Sequence, residues 1–232
     1  AQCLVGSEMC IRDRYFTAES VLKEQGIIGE EIGMAENEPN HALYYGLMRS
    51  LYERSPVRSS VVGTAESIAR ITPEVLTDCH RAFYAPSNML LAVVGDVEPE
   101  SVAEAARRAL PAERAPVPEP DYGEIEPLSP FERRFSREMD VSAPQFMIGA
   151  KLPPGGGGDA LLRKQLAAAL ALRALAGSSS PLYTSMYSEG LVRSLWNEAD
   201  WGPCAAYAVI GGESREPVSY THLRAHETLS DL

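Results

Sequence analysis

The sequence predicts an α+β fold, and three observations predict it. Helical periodicity recurs in several separate stretches, among them the Ala/Leu-rich run at residues 161–177. Short apolar runs of strand length lie between them. Strands and helices are mixed without the strict alternation that builds a doubly wound parallel sheet, so a mixed sheet with helices packed on it is expected.

The first helix is expected over residues 15–36. Thr17 is a plausible N-cap, and Val21, Leu22, Ile28, Ile32 and Ala35 form a stripe near helical spacing. Gly26, Gly29 and Gly33 interrupt it. Each costs up to ~1 kcal/mol relative to Ala, so close packing or tertiary support, rather than local propensity, is expected to hold the helix there. A second helix follows Pro39, and a third begins near Thr64. A fourth carries the start signal Thr72-Pro73-Glu74, with cap, first-position proline and first-turn acid in order.

Residues 88–94 are continuously apolar and end at Gly95-Asp96, which predicts a strand buried on both faces. A helix over residues 99–110 comes next. Residues 111–130 are proline-rich with little periodicity and read as an extended linker and domain boundary. Beyond them, residues 131–139 alternate as an exposed edge strand would, and residues 145–152 form another strand. The four glycines 155–158 make a turn into a long helix that stops at Gly177. A helix over 180–189 and strands over 191–199 and 204–210 complete the pattern.

At 232 residues the chain can bury one large core or two ordinary ones, and 45% hydrophobic with 23% charged residues is typical of globular domains. No apolar run approaches the roughly 20 residues of a membrane helix. The net charge of -11 argues against a nucleic-acid partner and leaves basic peptides as compatible ligands. Cys3, Cys10, Cys79 and Cys204 have neither CxxC nor metal-ligand spacing and read as reduced thiols. The N-terminus lacks signal-peptide order, which makes the cytoplasm the default location. Residues 1–14 and 218–232 lack consistent periodicity and resemble translated adaptor sequence, so both ends are expected to be artefactual. His222 and His226 with Glu227 have zinc-like spacing, but they fall in that end and are set aside.

Few residues offer chemistry on their own. The run 155–158 lacks the Lys-Ser/Thr pair of a phosphate loop, and Ser178 to Ser180 lack a nucleophile elbow, so a turn and a helix cap explain them. His80 reads as a packing or surface residue. Glu24 and Glu31 stand seven apart, close to two helical turns, and share a face from which Glu30 points about 100° away. Spacing alone makes that a solvated charged face.

The stretch Lys23-Glu24-Gln25-Gly26-Ile27-Ile28-Gly29-Glu30-Glu31-Ile32, followed by Glu38-Pro39, resembles the helix downstream of the inverted zinc motif in pitrilysin/insulinase-type metallopeptidases. Further matches come in order: the segment from Gly63 through Ile68 to Thr72, Tyr84-Ala85-Pro86-Ser87-Asn88, Val94-Gly95-Asp96, Ser179-Ser180-Pro181-Leu182 and Gly190-Leu191. The resemblance implies two homologous pitrilysin-like α+β domains, both partial here. Residues 15–110 would be the C-terminal part of the first, zinc-site domain, and 131–212 the N-terminal part of the second, with 111–130 joining them. It further implies a zinc-dependent peptidase acting on peptides. Glu31 matches the third Zn²⁺ ligand, and Glu24 matches a second acidic residue of the catalytic machinery that orients ligands or water. The family's HxxEH segment does not occur in this sequence, which implies truncation and an inactive chain as it stands. The alternative is a non-catalytic homologue that binds peptide or pairs with a homologous partner subunit. The family's substrate-contacting arginine has no counterpart beside Tyr183 and Tyr187.

Overall fold

The computed structural model describes residues 16–110 and 116–214. The expected artefactual ends, with His222 and His226, and the first part of the proline-rich segment lie outside the described residues. Among the described residues before 111 there are five α-helices: α1 (Ala18–Asn37), α2 (Pro39–Leu51), α3 (Ala65–Ile68), α4 (Pro73–Phe83) and α5 (Pro99–Ala109). Strand β1 (Gln145–Lys151), helices α6 (Gly158–Ala176) and α7 (Pro181–Ser188), and strands β2 (Val192–Trp201) and β3 (Ala206–Ser214) follow residue 116. The start and stop signals act as their chemistry requires. Thr72 Oγ1 accepts from the Val75 amide, the Ser180 hydroxyl accepts from the Tyr183 amide, and Gly177 terminates α6.

The contacts group the described residues into two compact units, residues 16–30 with 64–110 and 116–121, and residues 31–63 with 122–214. In the first unit, Gln25 on α1 ties the α3 turn by donating from Nε2 to the carbonyls of Ile68 (3.1 Å) and Ile71 (2.9 Å). Val21 and Ala85 are buried, and His80 is buried with its ring stacked on Tyr84 at 5.0 Å, which gives this histidine a packing role.

The second unit is built on a sheet ordered β1-β3-β2, antiparallel throughout where a mixed sheet was expected. Strand alternation gives it two apolar faces. On one, Tyr207 and Val209 meet Met48, Leu51 and Tyr52 from α2 and its end. On the other, Phe146 and Val192 meet Met186 of α7. A bulge between Val192 and Ser194 brings the Ser194 carbonyl over Gly212, where an added Cβ would collide with backbone. The glycines 155, 156 and 158 all have positive φ, so the turn into α6 demands this residue type.

Three further expectations fail. Residues 89–94 form no ladder among the described residues, and Leu90 and Val94 are 94% and 100% exposed rather than buried. An apolar run becomes a doubly buried strand only where neighbours cover it, and the described residues supply none. Residues 131–139 are likewise not a strand; the Phe131 and Glu132 amides donate to the carbonyls of Leu51 and Ser50 and to no β partner. Gly26, Gly29 and Gly33 are not packed closely, since a Cβ at each would meet nothing within 4 Å. Gly→Ala at any of the three is therefore expected to stabilise the chain by about 0.5–1 kcal/mol through helix propensity. Urea denaturation checks this: the midpoint should rise at constant slope, and a fall would reveal a packing contact at that glycine.

Candidate functional site

Glu24 and Glu31 lie on the continuous helix α1, and both side chains are exposed. Their seven-residue separation leaves them about 20° apart around the axis, with Ile27 and Met34 within about 80° of either. Those two apolar side chains are also exposed, at 43% and 69%. Exposed large apolar groups beside two carboxylates are unlike an ordinary solvated helix face, where polar residues alternate. Neither glutamate side chain makes a hydrogen bond or ion pair among the described residues.

A three-ligand zinc centre is not formed by these residues alone, because no group of three or more His, Cys, Asp or Glu side chains among the described residues is placed to hold a metal. One carboxylate does not retain Zn²⁺ against water. Cys79 and Cys204 are free thiols, and neither belongs to a group of three or more candidate metal ligands among the described residues. No described helix is long and apolar enough to cross a membrane.

The most strongly perturbed carboxylate is one that motif reading missed. Glu126, within the proline-rich segment, accepts hydrogen bonds from the amides of Glu53 (2.9 Å), Arg54 (2.8 Å) and Ser55 (2.7 Å) beyond the end of α2. It also pairs with Lys151 at 3.2 Å, and the two side chains are 5% and 3% exposed. Lys151 donates to the Pro127 carbonyl and sits 4.6 Å over the Tyr52 ring, whose hydroxyl donates to the Ala206 carbonyl. Burial alone would push the Glu126 carboxyl up, but the three amides and the ammonium outweigh it and hold it at about 2. Burial, reinforced by the nearby Glu126 charge, pushes the Tyr52 hydroxyl up to about 12. The pair is satisfied by backbone amides, a backbone carbonyl and each other, which gives its arrangement a structural role. Its one sequence signal is Lys151 directly after the apolar stretch from Phe146 to Ala150.

The profile of the Peptidase M16 inactive domain family matches residues 70–220. That span takes in β1 to β3 and leaves α1, with Glu24 and Glu31, ahead of it. An uncharacterized zinc protease of Bacillus subtilis, YmfH, is 37% identical over 95% of this chain and 54% of its own length. Among solved structures, an M16-like peptidase from Alicyclobacillus acidocaldarius superposes with a TM-score of 0.74 at 29% identity, over 94% of this chain and 54% of that one. A protease from Helicobacter pylori superposes with a TM-score of 0.73 over 91% of this chain and 51% of that one, and at 18% identity it shows the fold alone. The chain thus spans about half the length of these relatives. The ordered motifs, the helices with their antiparallel sheet and the profile match agree: the chain belongs to the M16, or pitrilysin-type, peptidase family.

Proposed function

We propose that this chain is a portion of a zinc-dependent M16 peptidase that hydrolyses peptide bonds, and that α1 contributes one side of the metal site. In this reading Glu31 is the carboxylate ligand of Zn²⁺, and Glu24 orients ligands or water behind it. The observation that carries it is the 37% identity to a protein named as a zinc protease, because that likeness runs over 95% of the chain and so includes α1. The exposed Ile27 and Met34 beside the two glutamates, and the exposed run at 89–94, support a fold that further polypeptide completes. Two partial homologous domains joined through residues 111–130, a peptide substrate and a cytoplasmic setting without membrane or nucleic-acid partners belong to the same proposal. The chain as it stands is inactive, because one carboxylate is not a metal site.

The second reading is a non-catalytic homologue that binds peptide or pairs with a homologous subunit. It is favoured by the description of the matching family as an inactive domain. One experiment separates the two. The chain alone should carry no stoichiometric zinc and cleave no fluorogenic peptide. Joined to the upstream segment of its reading frame, it should bind one zinc per chain by plasma mass spectrometry and cleave. A joined protein without zinc would decide for the non-catalytic reading.

A further inference from the structure

A shallow cleft of about 240 Å³ lies in the second unit, between the first turns of α2 and the sheet face beneath them. Asn40 reaches it from α2, and Gln145, Ser194, Trp196 and Glu213 reach it from all three strands. The register explains the convergence, since Gln145 and Ser194 both pair with Glu213 and so share its face. Trp196 pairs with Gly211, and its indole lies over that residue where any Cβ would collide with the ring. The glycine therefore lets the ring lie against the sheet while it remains 38% exposed.

We infer that this cleft binds the guanidinium side chain of an arginine in a peptide. Its chemistry is that of an acceptor site. Glu213 supplies a carboxylate, and among the described residues no Lys or Arg lines the cleft to neutralise it. Gln145 Oε1 is buried and accepts no hydrogen bond. An orphaned acceptor of this kind is costly, and its terminal torsion is soft enough to turn toward an incoming N–H donor. The Trp196 face adds the ring surface on which a guanidinium stacks. A donor-rich planar cation meets all three demands at once, whereas an anion or an apolar side chain meets at most one. The overall charge of -11 draws such a ligand in.

This inference rests on the peptide-binding part of the reading above, not on zinc, and it is tested on the full chain without metal. The probe is acetyl-Gly-Arg-Gly-amide, with the citrulline peptide as its neutral isostere, followed through the indole N–H resonances of Trp196 and Trp201. The arginine peptide should shift the Trp196 signal saturably, and the citrulline peptide should bind about tenfold more weakly or not at all. Glu213→Gln should weaken the arginine peptide about tenfold and reduce the salt dependence of binding. Ser194→Lys places a competing ammonium opposite Glu213 at an exposed position, and should abolish binding without lowering the melting temperature. If Glu213→Gln fails to fold, Ser194→Lys decides alone. Equal binding of the two peptides, or arginine-peptide binding that survives Ser194→Lys, overturns the assignment. If the cleft fails while the joined protein cleaves peptides, only this inference falls; if the cleft binds while the joined protein neither holds zinc nor cleaves, only the peptidase reading falls.

Discussion

Glu126→Gln is expected to cost the chain about 3 kcal/mol of folding stability at pH 7. The carboxyl is held at about 2 against an ordinary value of 4.5, and a difference of that size corresponds to about 3 kcal/mol between the two protonation states. Because the folded value is depressed, this stabilisation is fully present above about pH 4.5 and disappears as pH falls toward 2. The parent should therefore lose stability steeply across that acid window, and Glu126→Gln should show a flatter profile there. A glutamine leaves Lys151 buried with only the Pro127 carbonyl and the Tyr52 ring as partners, which is the costly half of a broken buried pair. The double variant Glu126→Gln/Lys151→Met should recover part of the loss, since it removes the stranded charge and keeps the stem that packs on Tyr52. Urea titrations between pH 3 and 8 read all three quantities. Parallel acid profiles for parent and single variant would show that the carboxylate is not held as described.

Elements announced by local chemistry were legible in the sequence. Thr72-Pro73-Glu74 starts α4, Ser180-Pro181 starts α7 and Gly177 stops α6, because caps and φ restrictions act within one turn of chain and need no distant partner. The three strands were legible because their apolar runs meet one another and two helices within the second unit. Residues 89–94 failed for the converse reason, since an apolar run states a need for burial and not where the cover comes from. The bare glycines of α1 misled in a related way, for a residue without a side chain implies a neighbour only if something approaches it. Glu126 was hidden because its partners lie 71 to 73 positions earlier and 25 positions later in the chain. No period of 2 or 3.6 reports such a contact. The cleft was hidden similarly: Gln145, Trp196 and Glu213 become neighbours only through strand register. Glu24 and Glu31 entered by resemblance, and what the structure adds is their exposure and the apolar side chains beside them.

In the protein joined to its upstream segment, Glu31→Gln should reduce zinc content to a small fraction and abolish peptide cleavage. A carboxylate ligand carries both charge and a lone pair to the metal, whereas a carboxamide keeps the shape and loses the charge, so the change tests ligation rather than packing. The exposed position of Glu31 in the chain alone means that the same substitution there should leave stability within about 0.5 kcal/mol. Loss of zinc without loss of folding is therefore the signature of a ligand. Glu24→Gln, almost two turns earlier on the same helical face, should retain most of the metal and lower turnover by about 10–100-fold, as expected for a group that orients a ligand or water from behind. Glu30→Gln is the control, since its side chain leaves α1 about 100° away from Glu31 and should change neither quantity. Zinc content and turnover for the three variants distinguish every arrangement. If Glu30→Gln empties the site and Glu31→Gln does not, the ligand belongs to the neighbouring face, and the residue-by-residue match that selected Glu31 is off by one position.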